Sequence, residues 1–276
     1  MNREWRWPDD YVSRGDGALR IRSDYVEAFD RMGWTTLEEL CDDPRLDVRR
    51  RVDLRANARI EIPYGMDATL AYLKTHDEPW QEDAAIVPGA AEGVPPGIAE
   101  ADAVERCRAA GIPTMGVIAA GAKVDRELRL RRSFFLSAAI PGGVPADDFW
   151  KAEPDPEARR EALLALADTA RVFHAARLFH RDFYWCHFFL RRRAGRLVAH
   201  LIDLQRVVSA PAFPWRWRIK DLGQFWFSAP SLSHAERRLW FSRYFGGVRR
   251  PSLSDRLLAT LAQSRAAFYR FKEGAP

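Results

Sequence analysis

Two short segments decide the fold: His180-Arg181-Asp182-Phe183-Tyr184-Trp185-Cys186-His187, and the later Ile202-Asp203-Leu204. A helical pattern over 157–178, with Asp155 as its cap and Pro156 at its first position, precedes the first segment. Stretches 187–190 and 197–204 flank an Arg-rich turn and predict a hairpin. Two acids, one after a long helix and one at the end of a strand, therefore bracket one hairpin.

This arrangement of carboxylates is the one that phosphoryl transfer needs. One carboxylate accepts the proton of the attacking hydroxyl group, and the other holds magnesium on the nucleotide phosphates. Mg²⁺ prefers hard oxygen ligands, which Asp203 supplies. The pair therefore indicates a phosphotransferase.

The first half of the chain reads differently: a short helix over 34–40, with a Thr cap followed by acids, precedes strands around a second helix. We predict strands in 52–62 and 70–74, joined by a turn at 63–67; a surface loop at 79–97; a helix over 98–110; and strands at 115–120 and 133–139, joined by a charged turn at 123–132. The Pro- and Gly-rich segment 141–145 ends this pattern, and the remainder is mostly helical. The prediction is an α+β fold with an N-terminal lobe at 1–140, which includes an extension at 1–50, and a C-terminal lobe at 141–276.

The composition fits a soluble globular protein with anionic partners. Of 276 residues, 47% are hydrophobic and 29% are charged, and 43 Lys and Arg against 38 Asp and Glu give a net charge of +5. Only five of these cations are Lys, and the Arg and Trp content suits phosphates, anionic lipid or nucleic acid. Three scattered Cys form neither a zinc pattern nor a disulfide framework. The absence of a long apolar run and of a secretory signal favours a cytoplasmic protein, and no recognition motif supports nucleic-acid binding.

The segments HRDFYWCH (180–187) and IDLQR (202–206) resemble the Kdo/WaaP lipopolysaccharide core kinase family of the protein-kinase-like superfamily, and WRIKDLGQFWFS (217–228) is similar to its Lys-Asp-Leu segment. The similarity extends from about residue 50 to residue 227. It implies a two-lobed protein-kinase-like fold, with a small β-rich lobe for the nucleotide and a helical lobe for the catalytic loop. It also implies ATP and Mg²⁺ as cofactors, and a sugar hydroxyl of heptose or Kdo in lipopolysaccharide core as acceptor, reached at the cytoplasmic face of the inner membrane.

The resemblance also implies roles for individual residues. Asp182 matches the catalytic-loop aspartate and would be the general base, and Asp203 matches the metal-binding aspartate. Lys74 matches the lysine that pairs with the nucleotide α/β-phosphates, and Glu100 matches its carboxylate partner. Asp221 looks like the buried aspartate that braces the catalytic loop.

Several departures from protein kinases leave alternatives open. His187 stands where those enzymes have Asn, so it would bind either the metal or a phosphate. Asp203 is followed by Leu-Gln instead of Phe-Gly, and the nucleotide-covering hairpin has one glycine, Gly65. Glu105 lies on the same predicted helix as Glu100, and Lys74 taken alone reads as a surface lysine. A phosphotransferase with a protein or small-molecule acceptor and a non-catalytic nucleotide-binding scaffold therefore remain as alternatives.

Overall fold

The computed structural model describes residues 7–15, 17–79, 94–127, 129–229, 232–246 and 252–272. The chain divides into two compact units, one of residues 1–106 and 115–139 and the other of residues 107–114 and 140–276. Residues 107–114 thus group with the second unit, although they precede the last two strands of the first.

In the described part of the chain, the first unit contains a seven-stranded antiparallel sheet, a 3-10 turn at Ser23–Tyr25 and three α-helices, the last of which ends in residues 107–109 of the second unit. The strands are β1 (Tyr11–Arg14), β2 (Leu19–Arg22), β3 (Asp47–Val52), β4 (Arg55–Tyr64), β5 (Asp67–Pro79), β6 (Val117–Asp125) and β7 (Leu130–Ala138), in the order β1-β2-β6-β7-β5-β4-β3; the helices are α1 (Val26–Met32), α2 (Leu37–Cys41) and α3 (Pro96–Ala109).

Helices α1 and α2 cover one face of this sheet. Phe29 and Trp34 belong to a buried cluster that includes Ile62 of β4 and Leu73 of β5. Helix α2 begins in a capping box, in which the Thr36 side chain and Glu39 satisfy each other's backbone N–H groups. Side chains alternate between the two faces of a strand. Lys74, the residue after Leu73 on β5, therefore lies on the opposite face of the sheet.

The strands run further than the sequence pattern predicts. Strand β5 continues past position 74 to Pro79, and β6 and β7 extend into the predicted charged turn at 123–132, so both of those predictions were wrong. Cross-strand ion pairs explain the extension, since Arg131 binds Glu78 and Arg132 binds Asp77. The predicted loop at 79–97 lies mostly outside the described residues, and α3 begins two residues earlier than expected, at Pro96.

The second unit is mostly helical around two small sheets. Its helices are α4 (Ala146–Ala152), α5 (Pro156–Ala175), α6 (Pro214–Ser228), α7 (His234–Tyr244) and α8 (Leu253–Lys272), with a 3-10 turn at Trp185–His187; its strands are β8 (Val144–Pro145), β9 (Leu178–Phe179), β10 (Phe188–Arg193), β11 (Arg196–Leu201) and β12 (Val208–Ser209), in the orders β11-β10-β8 and β12-β9. The predicted β10–β11 hairpin and the Asp155 cap of α5 are confirmed. The aromatic and Arg-rich segment 214–218 forms the start of α6.

An aromatic core supports the segment that decides the fold. Phe183 of that segment packs against Phe173 of α5, Phe188 of β10 and Phe225 of α6, with ring centroids 4.9–6.1 Å apart. These rings are fully buried, and edge-on and offset contacts of this kind are favourable beyond the area they bury. The predicted α+β class, a strand-rich N-terminal part followed by a helical part, is confirmed.

Candidate active site

The first unit brings Lys74 and Glu100 together. Lys74 lies in the interior of β5, where its register partners are Asn57 on β4 and Phe135 on β7. Its Nζ donates to Oε1 of Glu100 at 2.7 Å; the Glu100 side chain is fully buried, whereas Lys74 keeps 20% exposure. The alternative acid on the same helix, Glu105, accepts a hydrogen bond from Tyr11. The ammonium group therefore has a fixed carboxylate partner and still reaches solvent.

A glycine permits this ion pair. The backbone N–H of Gly97, in the first turn of α3, lies 3.3 Å from Oγ of Ser133 on β7. A Cβ atom at position 97 would stand 2.3 Å from the carbonyl oxygen of Phe134, so only glycine allows the helix to approach the strand this closely. Glu100 follows three residues later, which places it against β5.

In the second unit, Asp221 of α6 anchors the loop that begins at His180. Its fully buried carboxylate accepts the backbone N–H of His180 at 2.7 Å and that of Arg181 at 2.8 Å. Nε2 of His174 lies 3.3 Å away on the same carboxylate. Arg181 has φ of 72°, in the left-handed region, and the two backbone hydrogen bonds hold it there.

His180 connects this loop to the segment that carries Asp203. It is fully buried, and burial lowers its pKa below the ordinary value, so the ring is neutral. Nδ1 accepts the N–H of Asp182 at 3.3 Å, and Nε2 donates to the carbonyl of Ile202 at 2.9 Å. One imidazole therefore joins the backbone of Asp182 to that of Ile202, the residue before Asp203.

The Asp182 carboxylate forms an ion pair with Arg206. Nη1 of Arg206 lies 2.9 Å from Oδ1 and 2.8 Å from Oδ2, and the Asp182 side chain is one-fifth exposed. The Asp182 carbonyl accepts a hydrogen bond from Nδ1 of His187 at 2.8 Å. The loop thus fixes the backbone of Asp182 and leaves the carboxylate within reach of solvent.

His187 and Asp203 lie side by side. Nε2 of His187 is 3.5 Å from Oδ2 of Asp203, and Asp203 has a left-handed φ of 60°. Burial lowers the pKa of His187, but contacts with Cys186, the Asp182 carbonyl and Asp203 outweigh it and raise that pKa to about 9.

This donor set fits Mg²⁺ bound together with phosphates. Because Nδ1 of His187 donates to a carbonyl, Nε2 is the ring atom that faces a ligand. Mg²⁺ usually takes one or two carboxylates and completes its shell with water and phosphate oxygens. Within the described ranges, no group of three or more His, Cys, Asp and Glu side chains is arranged to hold a metal ion. Asp203 is therefore the candidate protein ligand, with His187 beside it.

Two residues of this site had no role in the sequence-based prediction. Arg206 falls inside the IDLQR segment, and Lys220 is one of the five lysines, so both were visible as rare or motif residues. The Arg206 contact with Asp182 spans 24 positions of the chain, and the charge of Asp182 acts on Lys220 from a separate segment, which no local pattern reports.

Known proteins are similar to this chain in sequence. Residues 90–244 match the sequence profile of the "Lipopolysaccharide kinase (Kdo/WaaP) family". Lipopolysaccharide core heptose(I) kinase WaaP of Pseudomonas aeruginosa is 33% identical over 186 residues, which is 63% of this chain and 69% of that protein. The enzymes of the same name from Escherichia coli are 29% identical over 183 residues (63% and 69%) and, in strain K12, 32% identical over 182 residues (62% and 68%).

A solved structure shares the fold. WaaP in complex with acyl carrier protein superposes with a TM-score of 0.67 at 24% identity, over 91% of this chain and 98% of that one. The match of the family profile to more than half of the sequence, the relatives and the HRDFYWCH and IDLQR segments all lead to the same assignment: the chain belongs to the lipopolysaccharide kinase (Kdo/WaaP) family.

Proposed function

We propose that the chain transfers the γ-phosphoryl group of ATP to a sugar hydroxyl, of heptose or Kdo, in lipopolysaccharide core. The observation that carries the proposal is the braced loop of the second unit, in which Asp221 fixes the backbone before Asp182 while His187 joins Asp182 to Asp203. The relatives named core heptose(I) kinases support the same acceptor class.

In this proposal each acid has one task. Asp182 accepts the proton of the attacking hydroxyl, after its carboxylate has left Arg206. Asp203 would hold Mg²⁺, which when bound neutralises charge on the nucleotide phosphates, and the protonated His187 beside it would contact a phosphate oxygen. Positioning and electrostatics supply most of the rate, because phosphoryl transfer asks little covalent chemistry of the protein.

Lys74 would neutralise the α/β-phosphates of ATP. Its ion pair with Glu100 limits where Nζ can lie, and its partial exposure leaves that nitrogen accessible to an anionic ligand. A compact ammonium is suited to a single phosphate contact.

The test measures transfer and nucleotide binding separately in two variants. Asp182→Asn should abolish transfer of labelled phosphate from ATP to core oligosaccharide and leave Mg-ATP affinity within about twofold, because the acid acts on the acceptor. Asp203→Asn should instead weaken Mg-dependent nucleotide binding. Asp168→Asn, which alters an acid on the surface of α5, is the matched control. Normal turnover in Asp182→Asn would refute the assignment.

The same assay separates the alternatives. A scaffold would bind nucleotide and show no Mg-ATP-dependent transfer to any acceptor, and the Asp182 substitution would then change nothing. A kinase with another acceptor would phosphorylate a protein or a small glycoside in preference to core oligosaccharide. The retained Lys74, Asp182 and Asp203 argue against the scaffold, which has no use for a general base.

We also propose peripheral contact with the inner-membrane surface at the cytoplasmic face, where the glycolipid acceptor would be met. Among the residues described, no helix combines the length and apolarity that a membrane crossing requires. Helix α8 buries Ala262 and Ala266 and exposes an apolar stripe, with Leu253 and Phe271 each 85% exposed. The same helix carries four basic residues and one acidic residue, which suits an anionic lipid surface. The stripe consists of Leu253, Leu257, Leu261, Phe268 and Phe271.

Vesicle co-sedimentation tests this contact. The chain should bind vesicles that contain anionic lipid more strongly than neutral ones, and Leu257→Glu with Phe268→Glu should reduce binding while leaving kinase activity on a delipidated acceptor unchanged. Equal binding by this double variant would contradict the proposal. Because a related WaaP was solved with acyl carrier protein, we propose that protein as a further partner, which copurification from a co-expressing strain would test.

A further inference from the structure

One cation contacts the Asp182 carboxylate and two more lie near enough to feel its charge, and the proposed chemistry uses none of the three. Arg206 contacts both Asp182 oxygens through the single nitrogen Nη1 and is 44% exposed. Arg181 precedes Asp182, and its guanidinium carbon lies 5.3 Å from the ring centroid of Trp217. Lys220 places Nζ 5.8 Å from the same ring. Trp217, in the first turns of α6, thus orients two cations next to the base.

The positive charge of this cluster exceeds its negative charge. Among the described residues, the carboxylates whose charge acts on Arg181 and Lys220 are those of Asp182 and Asp221, and Asp221 is already engaged by two backbone N–H groups. Burial lowers the pKa of Lys220, and the nearby charge of Arg206 lowers it further, while Asp182 opposes the shift. Burial and Arg206 lower the pKa of Arg181 in the same way. Cations held this close repel one another, and a bound anion would relieve the repulsion.

We propose that Arg181, Arg206 and Lys220 form a subsite that binds an anionic group, a phosphate or a carboxylate, carried by the acceptor. The subsite deepens the proposed function, on which it rests, by making negative charge near the reacting hydroxyl a requirement for recognition. Guanidinium groups suit this task because their fork of donors matches carboxylate and phosphate oxygens.

The subsite also gives Arg206 a reason to bind Asp182. In the structure Arg206 contacts both carboxylate oxygens of Asp182, one of which must accept the hydroxyl proton. An acceptor anion offers Arg206 a competing partner, so acceptor binding and release of the base become one event. An acceptor without the anion leaves this ion pair in place.

The first experiment needs neither nucleotide nor sugar. In ¹⁵N-labelled protein, the indole N–H signal of Trp217, assigned with Trp217→Phe, is followed during titration with sodium phosphate or with sodium acetate, and with chloride at the same ionic strength. We expect a saturable shift with phosphate or acetate and not with chloride, and the anion with the greater effect identifies the group. Arg206→Gln and Lys220→Gln should each weaken binding about tenfold, the contribution of one charge-assisted hydrogen bond.

The matched control is Arg196→Gln, an exposed arginine on β11 of the same unit. Absence of a saturable shift, or equal affinity in Arg206→Gln and Arg196→Gln, would overturn the subsite. Because this measurement requires no transfer of phosphate, an enzyme that leaves core oligosaccharide unmodified can still show the subsite, and the two proposals fail separately.

The second experiment adds the acceptor. Arg206→Gln should raise KM for intact core oligosaccharide about tenfold and leave KM for ATP unchanged. With an acceptor whose carboxylates are methyl-esterified, or whose phosphates are removed, wild type and variant should have the same KM if that group is the ligand. An equal rise in KM for the intact acceptor and for both neutralised acceptors would contradict anion recognition.

Discussion

Replacement of Asp221 by Asn tests the bracing of the catalytic loop with the smallest change in shape. The carboxylate accepts two backbone N–H groups, at 2.7 and 2.8 Å, in a fully buried position. An amide of the same size keeps one acceptor oxygen and turns an NH₂ group towards the other donor. Hydrogen bonds to charged groups contribute about 1.5–3 kcal/mol each, and an unsatisfied buried donor adds about 1–3 kcal/mol. We therefore expect Asp221→Asn to lower the free energy of unfolding by about 3–5 kcal/mol.

Catalysis should suffer beyond the loss of stability. Arg181 keeps its left-handed φ of 72° while Asp221 holds its N–H, and Asp182 is the next residue. When that anchor is weakened, the loop relaxes and the Asp182 carboxylate moves; a displacement of about 1 Å lowers kcat about 10²-fold. KM for ATP should change less than kcat, because the Asp221 carboxylate holds the backbone next to Asp182, which in the proposal acts on the acceptor and not on the nucleotide.

Urea unfolding and steady-state kinetics at 15 °C, where the variant remains folded, measure the two effects. Asp168→Asn removes a partly exposed acid paired with Arg243 and should cost less than about 1 kcal/mol. The bracing argument is wrong if the free energy of unfolding of Asp221→Asn lies within about 1 kcal/mol of the wild-type value and its kcat lies within about twofold.

Three further predictions follow from the same structure. Gly97→Ala should destabilise the protein by about 1–3 kcal/mol and raise KM for ATP, because its Cβ would stand 2.3 Å from the Phe134 carbonyl oxygen. Gly116→Ala is the control, because the nearest atom to its Cβ would be 3.8 Å away. Equal effects of the two substitutions in urea unfolding would contradict the argument. Burial lowers the pKa of His174 and of His180, so below pH 6.5 the unfolded chain takes up protons that the folded chain does not; the free energy of unfolding should fall by up to about 1.4 kcal/mol per pH unit for each ring between pH 6.5 and 5.5, and a flat profile would count against neutral buried rings. Lys74→Met should destabilise the protein by about 3–5 kcal/mol by removing the ammonium from a buried carboxylate, and adding Glu100→Gln should restore stability without restoring ATP affinity; recovery of both would exclude a nucleotide role for Lys74.

Local chemistry explains which elements were predictable. Helix α5 was evident because Asp155 and Pro156 define its start, and the structure shows the Asp155 side chain accepting the N–H groups of the first turn. Strand β1 (Tyr11–Arg14) was missed because its short, polar sequence gains regularity only by pairing with β2. The start of α6 was not evident from the sequence because no capping side chain marks it. Phe213 occupies the N-cap position and makes no side-chain hydrogen bond there.

The candidate site divides in the same way. Asp182, Asp203 and His187 could be predicted because they fall in two short motifs, and the sequence also contained Lys74 and Glu100, although only the fold shows that they touch. The Arg206–Asp182 contact could not be predicted, since it joins side chains from separate segments. Resemblance transfers residue types along a motif, whereas the contact depends on the left-handed backbone of Asp203 that redirects the chain shortly before Arg206.

The scarcity of lysine acquires a physical meaning from these positions. Lys123 and Lys151 form exposed ion pairs, a task that arginine performs equally well. Lys74 is different: a single nitrogen meets one oxygen of a fully buried carboxylate from within a strand that has neighbours on both sides. A guanidinium is planar and offers a wider fork of donors, so it does not reproduce this single-nitrogen contact. At Lys74 a compact point charge lies among packed groups, and this position coincides with the proposed contact to the nucleotide.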